Sequence, residues 1–197
     1  MIRVGLTGGM GSGKTTIAKM FTELGIPVYN SDLEARRLMN EDSQVRKAVV
    51  DLFGDSAYEQ GQLNRAFIAE KVFADNRLLE ELNKVVHPAV RADFREWTSG
   101  KSAPYVIQEA AILFENGGHE EFDFMILVTA PKKTRILRIK QRDQLSEKDI
   151  LKRMKHQWSE KRKKALADFV IHNSDLPGTQ ARVKEIHTQL MATAVKQ

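Results

Sequence analysis

Apolar positions along this chain follow two alternating rhythms: short unbroken runs, and longer stretches with apolar residues three or four apart. The runs at 2–6, 27–29, 105–109, 124–129 and 169–172 are short enough for strands. Helical patterns separate them. In "TTIAKMFTEL", Ile17, Met20, Phe21 and Leu24 share a helix face, and Gly25 follows where a helix end needs a residue free to turn left-handed. Alternation of this kind predicts an α/β fold, a parallel sheet with helices on both faces. Ligands of such sheets gather at the carboxyl ends of the strands.

The interval between the second and third strands is too long for one crossover helix. It contains "NRLLEELNKVV", with Leu78, Leu79, Leu82, Val85 and Val86 forming an apolar stripe, and so predicts a helical subdomain over 42–98. Pro88, in "VVHPAVRADF", has no N–H to continue a helix, which predicts a break or kink near His87 and a new helix from Pro88. A second elaboration, over 131–164, includes "SEKD", where Ser146 and Asp149 resemble a capping box opening a long basic helix. The expected organisation is one domain: a core of 1–41, 99–130 and 165–197, carrying the subdomain and the second elaboration.

Composition adds boundaries. A chain of 197 residues, 42% hydrophobic, suits a single core. The absence of cysteine excludes disulfides and thiolate chemistry. Runs such as "FMILV" are far too short to span a bilayer and the start lacks signal-peptide architecture, so the expectation is a cytoplasmic protein with no membrane partner. The net charge of +5 is unevenly spread: 132–164 holds fourteen Lys or Arg against four Asp or Glu. A solvated helical face, an anionic ligand and nucleic acid are the three readings of that cluster.

"GLTGGMGSGKTT" brings the chemistry. Five glycines and one lysine stand in a window without an acid, and Gly8, Gly13, Lys14 and Thr15 fit G-x-x-x-x-G-K-[ST], the phosphate-cradling P-loop. Glycine allows a backbone that aims several N–H groups at one point, and the following helix adds the positive end of its dipole. The expected strand, loop and helix surround the pattern. Lys14 is thus expected to bridge the β- and γ-phosphates of a bound nucleotide, and the Thr15 hydroxyl to hold Mg²⁺. Gly8, Gly9, Gly11, Ser12, Gly13 and Thr16 complete the cradle, with N–H groups from 11 to 16 around the phosphates.

Three classes of P-loop protein compete. A GTPase carries Asn-Lys-x-Asp to read its base, but Asn83-Lys84 is followed by two valines. A motor ATPase usually ends an apolar strand in Asp, whereas "MILV" ends in Thr129 and Ala130. Small size, a helical insert and a late basic segment favour a small-molecule kinase.

The chain resembles the dephospho-coenzyme A kinases, relatives of the nucleoside monophosphate kinases. The matching segments are the P-loop, "GIPVYNSDLEAR", "VVHPAV", "AILFENG", "FDFMILVTAP", "RIKQRDQLSEKDILKRMKHQ" and "ADFVIHNSD", covering roughly 2–175. The resemblance implies transfer of the γ-phosphate of ATP to the ribose 3′-hydroxyl of dephospho-coenzyme A, the last step of coenzyme A synthesis. It implies a P-loop fold with a five-stranded parallel sheet in the order 2-3-1-4-5, an acceptor-binding helical insert and a lid over 131–164. Nucleic acid is not among the implied partners. Two positions depart from the family pattern, Asn30 and Glu109, where relatives often carry Asp.

The same resemblance suggests roles. Asp32 would orient the acceptor hydroxyl and accept its proton, or else cap the helix that follows. Arg36 falls on the acceptor side, and His87 either contacts the acceptor or packs beside Pro88. Glu109 is a candidate for a water-mediated contact to the metal, the alternative being an ordinary strand-end carboxylate. Arg138 and Arg142, one helical turn apart, would reach the triphosphate from the lid; pairing of Arg142 with Asp143 or Glu147 is the competing reading. No histidine spacing suggests structural zinc.

Overall fold

Strand β1, Ile2–Gly8, is buried on both faces along nearly its whole length because it lies at the middle of a sheet. This is a computed structural model that describes residues 1–155 and 157–195. β1 leads through the glycine loop into α1 (Lys14–Glu23), β2 (Val28–Asn30), α2 (Ser31–Glu41) and α3 (Ser43–Phe53). A two-stranded hairpin, β3 (Tyr58–Glu59) and β4 (Gln62–Leu63), precedes α4 (Arg65–Ala74) and α5 (Asn76–Ser99). Then come β5 (Tyr105–Glu109), β6 (Phe124–Thr129), α6 (Lys132–Asp143), α7 (Glu147–Met154), α8 (Glu160–Lys164), β7 (Phe169–His172) and α9 (Leu176–Ala194).

The main sheet runs β2-β5-β1-β6-β7, and β1 is parallel to both β5 and β6, as β6 is to β7. Counted within that sheet, the order is the expected 2-3-1-4-5. Its two faces alternate along β6. Ile126 and Val128 join Val4, Leu6, Ile17, Phe21, Val183 and Ile186 beneath α1 and α9, while Met125 and Leu127 meet Leu113 and Phe114 on the other face. Each buried aliphatic side chain contributes about 1.5–3 kcal/mol, so this core fixes where the strand ends stand. Helix α1 closes as expected: Gly25 has φ 82° and its N–H donates to the Thr22 carbonyl at 2.9 Å.

Residues 1–29 with 101–197 form one compact unit, and 30–100 another. The helical unit begins earlier than position 42, because α2 packs on α3 and α5. Leu38 is buried there, and Arg37 joins Glu34 on its own helix to Asp93 on α5. The β3–β4 hairpin was not expected; its turn residues Gln60 and Gly61 both have positive φ, as a tight two-residue hairpin requires.

Two sequence expectations are corrected. The helix does not restart at Pro88: α5 runs from Asn76 to Ser99 with Pro88 inside it. Leu82, Val86, Val90 and Phe94 form one buried stripe across the proline, and packing against α2, α3 and α4 outweighs one missing hydrogen bond. The long basic helix after Ser146 also stops early. Ser146 does cap it, accepting from the Asp149 N–H, but α7 ends at Met154. Beyond it the Gln157 side chain accepts from the Met10 N–H at 2.9 Å and the Trp158 N–H donates to Glu115 at 3.1 Å, before Ser159 caps α8.

Candidate active site

The loop between β1 and α1 stands at the carboxyl ends of β1, β5, β6 and β7, the position expected for a ligand site in such a sheet. Gly11 and Gly13 have φ of 78° and 94°, left-handed values that a side chain would strain. A Cβ on Gly13 would also strike the Asn173 amide. Gly13 opens α1 without any side-chain cap, unlike α2, α3, α4, α5, α7, α8 and α9, whose caps are Asn, Asp or Ser. The start of α1, with the positive end of its dipole, therefore faces the loop with no side chain covering it.

A pocket of about 230 Å³ lies at this helix end, lined by Gly11, Gly13, Lys14, Thr15, Thr16, Arg138, Ile139 and Arg142. Gly13, Lys14 and Thr15 of the motif are thus brought together with Arg138 and Arg142. A larger cavity of about 570 Å³ includes Gly9, Leu127, Trp158 and Lys163 but neither Lys14 nor Thr15. The larger also carries Lys132, Arg135 and Lys155, so charge does not separate them; the helix start with Lys14 and Thr15 favours the smaller. Lys14 Nζ donates to the Gly8 carbonyl at 3.1 Å, folded over its own loop. Thr15 Oγ1 donates to Glu109 Oε1 at 3.1 Å, and Glu109, at the end of β5, is only 5% exposed. A hydroxyl and a buried carboxylate so placed are two oxygen donors suited to a hard cation.

The two arginines differ. Arg138 is committed to the loop, donating to the carbonyls of Ser12 at 3.3 Å and Asn173 at 3.2 Å. Arg142 is mostly exposed and pairs with Asp143 through two bonds, Nε to Oδ1 at 2.7 Å and Nη2 to Oδ2 at 2.8 Å. That hydrogen-bonded pairing raises the Arg142 pKa and lowers that of Asp143. The competing reading, a surface pairing with Asp143, is therefore present, and Arg142 also lines the pocket.

In the helical unit, Asp32 is exposed in the first turn of α2. It is not the helix cap: Asn30 fills that role, its side chain accepting from the Leu33 N–H at 3.0 Å. Asn30 thus has a structural use, one that Asp would serve equally well. Arg36 is exposed on the same helix. His87 is half-buried in α5, and desolvation, with the charge of Arg91 adding to it, holds its pKa below the ordinary histidine value. Pro88 and Ala89, with Asp42, Asp93 and Glu96, line a separate groove of about 440 Å³ that does not include His87.

Sequence reasoning missed three loop partners. Asn173 is buried and its Nδ2 donates to the Ser12 carbonyl at 2.8 Å; Arg135 Nε donates to the Met10 carbonyl at 2.9 Å; Gln157 receives the Met10 N–H. Asn173 had a signal, since it directly follows the last strand, where ligand-side residues collect. Arg135 had only its membership of the basic cluster.

A dephospho-CoA kinase family model matches residues 2–177. A dephospho-CoA kinase of Salinibacter ruber is 42% identical over 177 residues, covering 88% of this chain and 89% of the relative. A Thermus thermophilus protein of known crystal structure superimposes with a TM-score of 0.85 at 34% identity, covering 96% of this chain and 97% of that one. The dephospho-CoA kinase of Campylobacter jejuni, at 24% identity, shares the fold with a TM-score of 0.69 over 97% of this chain and 98% of its own.

Proposed function

The chain belongs to the dephospho-CoA kinase family and is an ATP-dependent phosphotransferase; from that premise we propose how its own residues divide the work. It transfers the γ-phosphate of ATP to the ribose 3′-hydroxyl of dephospho-CoA, giving CoA and ADP. The observation that carries the assignment of the phosphate site is the meeting of Lys14, Thr15, Arg138 and Arg142 around an uncapped helix start. N–H groups of the loop bind the phosphates, and Lys14 leaves the Gly8 carbonyl to neutralise the β- and γ-phosphates. Arg142, which lines the pocket, grips the transferring group with its guanidinium.

The donor set fits Mg²⁺. The Thr15 hydroxyl would hold the ion and the Glu109 carboxylate beside it would steady the ion through water, both being hard oxygen donors. When bound there, Mg²⁺ supplies charge neutralisation between the β- and γ-phosphates. On the helical unit, which we assign to the acceptor, Asp32 orients the 3′-hydroxyl and takes its proton. The ribose oxygen bonds to phosphorus as the bond from phosphorus to the ADP oxygen breaks. Arg36 and His87 serve acceptor binding, and 131–164 acts as the lid. Among the described residues no helix is long and apolar enough to cross a membrane. We place the reaction in the cytoplasm, with ATP and dephospho-CoA as partners and no nucleic acid.

Lys14→Ala tests the phosphate site. Its side chain is not in either buried cluster, so the variant should fold normally while transfer from ATP becomes undetectable. Turnover close to wild type in a folded variant would reject this loop as the site.

A further inference from the structure

A trans peptide holds its carbonyl and the following N–H on opposite sides, and the described residues contain no cis peptide. Anchoring one group therefore aims the other. Around the P-loop, two peptides are anchored by their carbonyls. Arg135 Nε donates to Met10 and so turns the Gly11 N–H the other way; Asn173 Nδ2 donates to Ser12 and does the same for the Gly13 N–H. Gly11 and Gly13 both line the pocket of about 230 Å³. Glycine makes these two peptides easy to flip, so the sequence supplies freedom that some other group must remove.

Both anchors are themselves held. Asn173 is 8% exposed and its N–H donates to the Thr129 carbonyl at 2.8 Å, which fixes its backbone with Nδ2 directed at Ser12. Its carbonyl is in turn bound by Arg138. The Arg135 guanidinium lies against Gly9, in space that a Cβ there would fill. Neither Asn173 nor Arg135 lines the pocket at Lys14, so both act on the loop from its outer side.

We infer that Asn173 and Arg135 are positioning residues that hold the carbonyls of Ser12 and Met10, and so aim the Gly13 and Gly11 N–H groups at a polyphosphate before it arrives. This rests on the assignment of the loop as the ATP phosphate site. It concerns nucleotide binding alone and not the choice of acceptor.

The test is calorimetric titration of the full chain with magnesium salts of ATP and of inorganic tripolyphosphate, in the absence of any acceptor. Asn173→Asp sets an oxygen against the Ser12 carbonyl, Asn173→Ala removes the closer of its two donors and leaves only Arg138 at 3.3 Å, and Arg135→Gln loosens Met10. In each, the affinities for ATP and tripolyphosphate should fall by the same factor, roughly ten- to a hundredfold, as expected for losing a hydrogen bond to a charged group. The melting temperature should move little, and Arg135→Lys should recover part of the loss. Unchanged affinity for both ligands would overturn the inference. So would a loss confined to ATP, which would mean that these residues serve the base instead. If the Asn173 variants do not fold, the Arg135→Gln titration decides by the same criterion. A wild-type chain that binds neither ligand would overturn the phosphate assignment itself and this inference with it.

Discussion

Replacing Asp32 by asparagine removes one negative charge and almost no volume. The structure separates the consequences. Asn30 already caps α2, so Asp32 contributes to stability only through its place in the first turn of that helix, near the positive end of the dipole. For an exposed carboxylate that contribution is about 0.3–1 kcal/mol. In a chain of this size it corresponds to a melting shift of roughly 1–4 °C. If Asp32 accepts the proton of the ribose hydroxyl, turnover falls by roughly two to four orders of magnitude while ATP affinity is kept. Steady-state kinetics with saturating dephospho-CoA, beside a thermal melt and an ATP titration, measure all three quantities. Turnover within a few-fold of wild type, with the small melting shift, would refute the role of Asp32. A drop in activity matched by a large loss of stability would refute the separation of helix and chemistry.

Two further substitutions probe the other assignments. Arg142→Ala should lower kcat by roughly ten- to a thousandfold and move the KM for ATP only a few-fold, because an exposed lid arginine is expected to make its best contacts during transfer; a change in KM alone would mark a ground-state contact. Lys163, 2% exposed, lies 2.6 Å from Glu115. Lys163→Met alone should cost about 3–5 kcal/mol in chemical denaturation by stranding Glu115, and Lys163→Met with Glu115→Gln should cost clearly less; equal losses would show that packing rather than charge is at stake.

What could be read from the sequence was what the chain encodes locally. The glycine loop, its strand and its helix lie within about twenty-five consecutive residues, and the pattern of apolar positions around them needs no tertiary knowledge. The five sheet strands were legible for the same reason, although their order came from family resemblance. Contacts across long separations were not legible. Thr15 and Glu109 are 94 positions apart, and Ser12 and Asn173 are 161 apart, so only the parallel sheet brings them together. Pro88 misled because its local cost was visible, whereas the stripe from Leu82 to Phe94 that offsets it depends on three other helices. Helix α2 was placed with the core for a similar reason, since its bond from Arg37 to Asp93 spans 56 residues.

The most direct measurement identifies the acceptor. Purified chain is incubated with ATP and Mg²⁺, and with dephospho-CoA, AMP, other nucleosides or single-stranded DNA added separately, and products are followed by phosphorus NMR and mass spectrometry. The account predicts one ADP for each dephospho-CoA consumed, a new phosphomonoester on the ribose 3′-oxygen, and little turnover with the other additions. ATP consumption stimulated by DNA alone, or phosphate delivered to another acceptor while dephospho-CoA is left unchanged, would contradict it.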